Sequence, residues 1–515
     1  MASDRSSKVA VLRAGFLFLA RFTVLVIAAA LAQVTAAGQP YEMSALSTRQ
    51  NASSGIGTLP VSKFAYVADQ HANTLSAYTI DSATGSLTEI PGSPFAAGNS
   101  PRSLCADPRG RFLYEADWYS ASVSAYTIDP STGALGTIPG SPFPAGSETA
   151  AVVVDPSGRF VYAANQYDST ISAYTINPTN GVLIQVAGSP YSSGSWPVGL
   201  AVAPSGKFLY SANWIASSVS AYAIDGITGG LTEIAGSPFP VGGGAFQVAI
   251  TPSGNFAYVA AQSTNSVYAY TVNTSTGALT AVVGSPFDAG SSPYYVAVDP
   301  LGKFVYVANF FSSNVSGYSI NQSSGALTTI SGSPFQTGEW PGGLTIDLSG
   351  RFLYTANFAS DNSSGFAINP LTGALTAMPG SPFATGYRPI SVTTVGATDT
   401  TPPLIKVSVA PKQLWPPNGR MVPVTISGTI TDTGSGVNLT SAAYAVKDEY
   451  GEVQPTGAIT LGPGGSYSFT ILLQASRLGT DLDGRRYTVT VQANDNAGNG
   501  GSKTSAVTVP HDHGH

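Results

Sequence analysis

The sequence predicts an all-β protein, a seven-bladed β-propeller followed by an immunoglobulin-like β-sandwich. The main observation is a motif of Gly-Ser-Pro and an aromatic residue, which recurs every 48 residues without a slip. Its seven serines are Ser93, Ser141, Ser189, Ser237, Ser285, Ser333 and Ser381. A fixed period of about 40–50 residues, filled with short strand patterns, is typical of propellers and solenoids. The period ends well before the C-terminus, which predicts a second domain.

The repeat spanning residues 197–239 shows the predicted blade. Its strand patterns are Val198–Ala203, Lys207–Asn213, Val219–Ile224 and Leu231–Ile234. Four strands joined by short turns form an antiparallel meander, the unit of a propeller blade. Recurring glycines such as Gly206 and Gly229 are suited to the positive φ of tight hairpins. We expect the motif proline to end the outer strand, because it has no N–H to donate, and the aromatic residue after it to pack between blades.

The two ends of the repeat array predict how the ring closes. The first repeat starts at a second-strand pattern, Lys63–Val67, so it lacks an inner strand. A spare copy of the inner strand follows the last motif at Arg388–Thr394. Pairing these two segments would complete the seventh blade and remove both free sheet edges. We therefore place the propeller at residues 58–397.

The repeat resembles that of a known family. Its clearest copy is Lys303–Asn309, followed by Ser316–Ile320 and Ser324–Leu327. These segments resemble the lactonase-family (YVTN-type) seven-bladed propellers, which include propeller-type 6-phosphogluconolactonases and carboxymuconate cyclising enzymes. The resemblance covers about residues 58–396. It implies the propeller fold and, for the enzymes of the family, Arg, Glu and His side chains around the mouth of the central channel.

Composition limits the classes of partner and site. The net charge is −6, charged residues make up 10% of the chain, and the repeats hold no cluster of Lys and Arg. Nucleic acid is therefore not an expected partner. Cys105 is the single cysteine, so neither an intrachain disulfide nor a thiolate metal cluster can form. Its counterparts in other repeats are small or aliphatic, which favours a core role for Cys105.

The N-terminal segment has the pattern of an export signal. Basic residues up to Arg21 precede the apolar run Phe22–Leu31, and Ala30-Leu31-Ala32 has the small-x-small form of a cleavage site. We predict a signal peptide over residues 1–37 and a linker over 38–57. An uncleaved anchor is the alternative, and it would be the sole membrane contact. Either way the rest of the chain is expected to be extracytoplasmic, in the periplasm, on the cell surface or secreted.

Loops on one face of the propeller carry the candidate site. The loops before the inner strands and those after the second strands share this face and are rich in aromatic residues. The candidate ligand-binding residues are Trp118, Tyr167, Trp196, Trp214, Phe246, Tyr294, Phe310, Glu339 and Trp340. Aromatic rings with a few charges suit a ring-shaped polar ligand such as a sugar or lactone. The alternative is that these rings cap the hydrophobic core.

Few titratable residues are available for catalysis in the propeller. His71 and Glu148 are the candidate acid–base groups, and Arg102 and Arg388 the candidates for orienting an anionic substrate. The enzyme hypothesis is a lactone hydrolase acting on a sugar lactone. The rival hypothesis is a non-catalytic scaffold or adhesion protein of the cell envelope that contacts other envelope proteins.

The pattern of the C-terminal part, residues 398–510, predicts about seven short strands, the number found in an immunoglobulin-like sandwich. No cofactor is predicted, apart from a Ca²⁺ site that Asp432, Asp483 and Asp495 would form in its loops. Turn-forming aspartate is the alternative. The last residues, 511–515, form a His-rich tail, for which we expect a solvated end.

Overall fold

The computed structural model describes residues 61–396, 401–432, 437–439, 441–495 and 499–511. The predicted signal peptide, the linker at 38–57 and most of the His-rich tail lie outside the described residues. Within these ranges the chain forms nine β-sheets, of which seven belong to the propeller and two to the C-terminal domain. None of the helices in these ranges has the length and apolar character to cross a membrane.

Each blade is one sheet, in which an inner strand is followed by second, third, fourth and fifth strands. Blade 1 contains the second strand Ser62–Asp69, and blades 2 to 7 follow in chain order. The inner strands of blades 2 to 7 are Pro101–Ala106, Thr149–Val154, Pro197–Val202, Ala245–Ile250, Pro293–Val298 and Pro341–Ile346, and that of blade 1 is Pro389–Gly396. The second strands are Ser62–Asp69, Phe112–Asp117, Phe160–Asn165, Phe208–Asn213, Phe256–Ala261, Phe304–Asn309 and Phe352–Asn357.

The remaining strands form the outer half of each blade. The third strands are Thr74–Ile80, Ser122–Ile128, Thr170–Ile176, Ser218–Ile224, Ser266–Val272, Asn314–Ile320 and Asn362–Ile368. The fourth strands are Leu87–Glu89, Leu135–Thr137, Leu183–Gln185, Leu231–Glu233, Leu279–Ala281, Leu327–Thr329 and Leu375–Ala377. The fifth strands are Phe95–Ala96, Phe143–Pro144, Tyr191–Ser192, Phe239–Pro240, Phe287–Asp288, Phe335–Gln336 and Phe383–Ala384. A short 3₁₀ turn, Gln262–Thr264, follows the second strand of blade 5.

The outer edge of a blade differs from the sequence prediction. In blade 4 the fourth strand ends at Glu233, and the motif proline, Pro238, comes after a further turn. The aromatic residue after it, Phe239, then pairs with Val219 of the third strand. The proline therefore does not end the outer strand; it follows a turn that leads into a fifth strand. The fourth and fifth strands share the outer edge of the third, each along a different half.

The motif serine explains why the two outer strands can share one edge. In the gap between them, the N–H of Ala221 has no strand partner and donates instead to the Ser237 hydroxyl at 3.0 Å. The same bond is found in all seven blades, at 2.8–3.0 Å. A buried backbone N–H needs such a partner. The seven Ser–Pro bonds of the motif are cis.

The ring closes as predicted. The C-terminal inner strand Pro389–Gly396 pairs antiparallel with Ser62–Asp69 of blade 1, with Val67 opposite Val392. A second link comes from the second-strand tyrosines, each of which donates its hydroxyl to a glycine carbonyl of the next blade. The last of the series runs from Tyr354 of blade 7 to Gly85 of blade 1 at 2.6 Å. The seven blades therefore form a closed ring.

Seven hydrophobic clusters lie between neighbouring blades. One joins blades 2 and 3 and includes Tyr114, Phe143, Val152 and Val161, all buried. The motif aromatic residue is buried or half-buried in every blade, as Phe143 is here, which confirms its predicted place between blades. Fully burying one such ring contributes about 1.5–3 kcal/mol. The recurring hairpin glycines have φ values of about +67° to +78°, as expected for tight turns.

The C-terminal domain has two sheets around one core. Its strands are Leu404–Ala410, Met421–Thr431, Ala443–Asp448, Thr456–Ala458, Ser466–Gln474, Arg485–Asn494 and Gly500–Val509, with a 3₁₀ segment at Pro463–Gly465. The first, second and fifth strands form one sheet, and the other four form the second. Buried Val424, Leu473, Tyr487 and Val507 belong to their common core. The predicted β-sandwich is confirmed; its immunoglobulin-like character stays a prediction.

Candidate functional site on the loop face

Two loops per blade form one face of the propeller. The residue after each second strand donates its N–H to the carbonyl of the residue that precedes the inner strand of the same blade. Trp214 donates to Trp196 in this way at 2.8 Å, and Phe358 to Trp340 at 2.9 Å. The same bond is present in all seven blades. The two sets of loops singled out in the sequence therefore lie side by side.

The residue before the inner strand has an unusual backbone. Glu148, Trp196, Trp340 and Arg388 occupy this position with φ values of 54–59°. Ser100, Gly244 and Ser292 have φ values of 58–61° at the same position, so the conformation is common to all seven blades. Bulky residues seldom adopt such left-handed values, which cost of order 1–3 kcal/mol each. Part of the cost is offset by a link to the preceding blade, because the N–H of Arg388 donates to Asp361 at 2.8 Å.

A continuous series of aromatic rings crosses blades 5 to 7. Ring centroids of Phe246 and Tyr294 lie 3.6 Å apart, and those of Tyr294 and Phe310 lie 4.7 Å apart. Phe310 then contacts Trp340 at 5.4 Å and Phe358 at 6.1 Å. Four of the residues predicted from the sequence are thereby brought together, and Phe358 joins them.

The series ends at the single histidine of the propeller, on blade 1. The His71 ring lies edge-on to Phe358 at 5.7 Å and to Tyr387 at 5.9 Å. The Arg388 guanidinium lies 5.0 Å from the Phe358 ring centre. Partial burial, and then the charge of Arg388, lower the pKa of His71 below its usual value. The imidazole is therefore mainly neutral at pH 7, the form that can accept a proton.

A second cationic cluster lies on blade 2. The Arg102 guanidinium lies 4.5 Å from the Trp118 ring centre, and Trp118 stacks on Tyr119 at 5.1 Å with an angle of 11°. Neither Arg102 nor Arg388 takes part in the carboxylate ion pairs found in the described residues. Both cations are held instead by aromatic faces.

The remaining predicted residues lie on other blades of the same face. Trp196 and Trp214 contact each other on blade 4 at 5.4 Å. Tyr167 on blade 3 is exposed, and Glu148 precedes the inner strand of that blade. Glu339 precedes the inner strand of blade 7, with its N–H bonded to Ser360 at 2.6 Å. Neither glutamate is on the blade of His71, and the ion pairs of the described residues do not join His71 to a carboxylate.

One placement in the sequence analysis is wrong. Arg102, Phe246 and Tyr294 are not in the loops before the inner strands but are the second residues of those strands. Their side chains line the mouth of the central channel, whereas Trp196 and Trp340 immediately precede inner strands. The next position inward also carries two polar residues that are absent from the predicted set, Gln247 and Tyr295. In the other blades this position holds Ser, Ala or Gly. The departure of Gln247 and Tyr295 from these small residues is the sequence signal by which they could have been found.

The channel mouth is narrow. It is lined by one or two inner-strand residues from every blade, among them Arg102, Gln247, Tyr294 and Ser391. The centres of water molecules can occupy about 40 Å³ of it. That volume corresponds to a few waters, whereas pockets that enclose a small-molecule ligand measure about 300–1,000 Å³. A ligand would therefore lie on the mouth and the surrounding loops.

The Ca²⁺ site of Asp432, Asp483 and Asp495 stays a prediction. In the described ranges, no group of three or more His, Cys, Asp and Glu residues is placed to hold a metal ion. Asp495 is buried and accepts hydrogen bonds from the N–H and the side chain of Asn499. Asp432 and Asp483 lie in loops. Cys105 has a pKa raised by burial to about 11, so its thiol is protonated, consistent with a core role.

The fold and this face define a class of protein, a closed seven-bladed β-propeller with aromatic and basic residues around the channel mouth. Sequence comparison identifies the family. The model of the lactonase seven-bladed β-propeller family matches four overlapping stretches, residues 21–142, 135–246, 239–339 and 296–386. The chain belongs to this family. Comparison with curated proteins gives no significant match.

Solved structures share the fold at low identity. The chain is similar to the periplasmic gluconolactonase of Pseudomonas aeruginosa, with a TM-score of 0.55 and 19% identity, over 65% of this chain and 99% of that one. A Bacteroides uniformis protein, provisionally assigned as a 6-phosphogluconolactonase, has a TM-score of 0.56 and 19% identity, over 64% of this chain and 99% of that one. A Lactobacillus plantarum protein has a TM-score of 0.55 and 20% identity, over 65% of this chain and 99% of that one. At such identities the likeness establishes the fold.

Proposed function

We propose that the protein is exported and binds a sugar lactone or related carbohydrate on the loop face, over the mouth of the central channel. The observation that carries the proposal is the uninterrupted series of ring contacts from Phe246 to His71, bordered by Arg388. Aromatic rings offer flat apolar contacts to a sugar ring, and neighbouring cations and amides bind its oxygens.

The backbone before the inner strands gives the candidate binding residues fixed positions. The left-handed conformation is found there in all seven blades, also at Ser100, Gly244 and Ser292, so it belongs to the repeat and does not by itself mark a ligand site. Trp196, Trp340 and Arg388 adopt this conformation at equivalent positions, and it fixes where each side chain leaves the backbone. Such pre-organisation lowers the entropy lost when a ligand binds.

Hydrolysis is a second candidate activity, favoured by the placement of His71 and Arg388 against the same two rings, Phe358 and Tyr387. A neutral His71 can take a proton from water, whose oxygen then attacks the lactone carbonyl carbon. Arg388 can stabilise the negative charge that develops on the carbonyl oxygen. The ring C–O bond then breaks, its oxygen takes up a proton, and a hydroxy acid is formed. Arg102, on the neighbouring blade, can hold an anionic group of the substrate.

The test is binding and turnover with the intact protein and a panel of sugar lactones, phosphorylated and not. We expect micromolar to millimolar binding by calorimetry for at least one lactone. If the protein is a hydrolase, His71→Ala should lower kcat at least 100-fold and leave KM within a few-fold, as expected for loss of a general base. Glu89→Gln, at an exposed position on the fourth strand of blade 1, is the control and should retain turnover, whereas Glu148→Gln tests the other predicted acid–base group.

The outcomes separate the hypotheses. Binding without turnover would assign a carbohydrate-binding role without catalysis. Turnover that survives His71→Ala would remove His71 as the base. Failure of every lactone and sugar to bind would contradict the proposal and favour the rival one, a cell-envelope scaffold that contacts other proteins.

Export rests on the sequence of residues 1–37 and is tested separately. A fusion of these residues to a reporter that is active only outside the cytoplasm should give signal in bacteria, and replacing Val24–Ile27 with charged residues should abolish it. A mature N-terminus near residue 33 or 38, found by sequencing the secreted protein, would establish cleavage. Signal retained by the charged variant would contradict export through this segment.

A further inference from the structure

An outer ring of side chains surrounds the channel mouth, one from each blade. These are the second residues after the second strands, and we call this set the outer ring: His71, Tyr119, Tyr167, Ile215, Ser263, Phe311 and Ala359. Tyr119 is 64% exposed, Tyr167 68%, Ile215 56% and Phe311 61%. Large apolar side chains at one repeated position, exposed in four blades, are not explained by packing of the propeller.

The backbone of the outer ring is firmly held. The N–H groups of Tyr119, Tyr167 and Phe311 each donate to the carbonyl two residues before the inner strand of the same blade, at 3.2–3.3 Å. The side chain of the next residue in the chain makes a further bond between the two loops. Asp168, for example, accepts the N–H of Ser147 at 2.7 Å. The exposed rings are therefore mounted on ordered loops, which makes them suited to contact a ligand at low entropic cost.

A single sugar ring over the channel mouth would leave most of the outer ring unused. The mouth itself is too small to enclose a ligand, and the outer ring runs around the whole face. The structure therefore points to a ligand larger than one ring. We propose that the loop face binds an oligosaccharide of several sugar units, with one unit over the channel mouth and the others stacked on the outer ring.

The chemistry of the outer ring favours a glycan over a protein partner. Protein hot spots are contiguous, well-packed apolar patches from which water is excluded. Here the exposed side chains are mounted one to a blade, and small polar residues such as Ser120, Asp168 and Ser312 follow them in the loops. Flat rings bordered by hydroxyl and carboxylate groups match the apolar face and hydroxyl rim of a sugar.

This inference rests on the proposed function, since it assumes that the face binds carbohydrate. The test uses the intact protein on an array of bacterial, fungal and plant oligosaccharides of increasing length, followed by calorimetry with the best glycan from one unit upward. Sugar lactones are measured beside it. We expect affinity to rise at least tenfold between one and about four units.

The repeats supply both a suitable replacement residue for the outer ring and exposed apolar residues elsewhere for a control variant. Blade 5 carries Ser263 in the outer ring, so the triple variant Tyr119→Ser, Tyr167→Ser and Phe311→Ser uses a residue that the position accepts. We expect it to weaken binding of the long glycan at least tenfold and to leave binding of a single sugar or lactone within about twofold. The control variant, Ile227→Ser with Leu371→Ser, removes side chains that are 88% and 89% exposed in turns between third and fourth strands, and it should bind like the native protein.

The possible failures are distinguishable. If a lactone or single sugar binds but longer glycans bind no better, or if the triple variant binds the long glycan normally, the oligosaccharide inference is overturned and the proposed function stands. If no lactone and no glycan of any length binds, both are overturned. A thermal unfolding midpoint of the triple variant within a few degrees of the native one shows that a loss of binding does not come from unfolding.

Discussion

At the scale of residues, the seven copies of the repeat serve as controls for one another. The last residue of the second strand is asparagine in four blades. In blade 3, Asn165 accepts the N–H of Gly146 and donates to Thr170 and Ser172. In blade 1 this position is Asp69, which has a similar set of partners. A buried carboxylate therefore stands in blade 1, and again in blade 2 at Asp117, where four other blades use a neutral amide.

Asp69 makes a prediction about pH. Burial raises the pKa of Asp69 from 3.8 to about 6. The folded state thus binds the proton more tightly than the unfolded one, and the stabilisation by protonated Asp69 is lost as the pH rises from about 4 through 6. We expect Asp69→Asn to match the native protein near pH 4 and to exceed its free energy of unfolding at pH 8 by up to about 3 kcal/mol.

Urea unfolding of both proteins at pH 4, 6 and 8 measures this difference. Asn165→Asp is the reciprocal control: it should introduce the same loss of stability at high pH into blade 3. If the difference in free energy of unfolding between Asp69→Asn and the native protein does not change with pH, the raised pKa of Asp69 is contradicted.

Glu115 is the other departure from the repeat. Its counterparts include Val67, Val259 and Val307, yet it is fully buried in blade 2. Its carboxyl accepts the Tyr126 hydroxyl at 2.7 Å, whereas the equivalent tyrosine of five other blades donates to a backbone carbonyl of the preceding blade. Burial, and then the nearby Asp117, raise the pKa of Glu115 well above its usual value.

Restoring the consensus of the repeat should stabilise blade 2. In the double variant Glu115→Val and Asp117→Asn, Tyr126 is released to bond the preceding blade and this pair of buried carboxyls is removed. Because isolated buried charges are costly, we expect the free energy of unfolding at pH 7 to rise by about 1–3 kcal/mol. Calorimetric unfolding checks this. A lower midpoint would show instead that the carboxyl pair is needed by the fold.

At the scale of elements, the serine of the recurring motif has a definite task. Its hydroxyl satisfies the third-strand N–H that neither outer strand reaches, as Ser237 does for Ala221. Ser237→Ala leaves that N–H without a partner, and we expect a loss of about 1–3 kcal/mol. The control is Thr232→Ala, at an exposed position on the fourth strand of the same blade, which should change stability by less than about 0.5 kcal/mol. Equal losses in both variants would contradict the role of the serine.

Strand patterns and period predicted the blades, their number and their order, because apolar alternation and turn glycines recur in every copy. The fifth strand was not predictable in this way. Phe239–Pro240 is two residues long and contains a proline, so it carries no alternation to detect. The placement of Arg102 failed for a related reason: the period shows that it corresponds to Phe246 and Tyr294, but not that the inner strand already begins at Pro101.

The candidate site was predictable as a set of aromatic residues, but not as a set of contacts. The period shows that Trp196 and Trp340 are equivalent, whereas the contact between His71 and Phe358 joins blades 1 and 7 and depends on ring closure. The predicted closure places Arg388 on blade 1 together with His71, but it does not indicate which side chains touch across the boundary between blades 7 and 1.

At the scale of the whole molecule, closure brings the two ends of the repeat array together and completes the loop face. Four of the five tryptophans, Trp118, Trp196, Trp214 and Trp340, lie on that face, and Trp415 lies in the C-terminal domain. The protein therefore carries its own fluorescent reporters for the proposed site. A ligand on the loop face must change their surroundings, whereas a ligand on the sandwich would affect Trp415.

The most direct test of a carbohydrate site on the loop face is a tryptophan fluorescence titration of the Trp415→Phe variant with the best-binding lactone or glycan. The account predicts a saturable change with the same Kd as calorimetry. It also predicts that the Trp415→Phe variant binds with the Kd of the native protein. Calorimetric binding to the Trp415→Phe variant without any response from its four loop-face tryptophans would contradict the account.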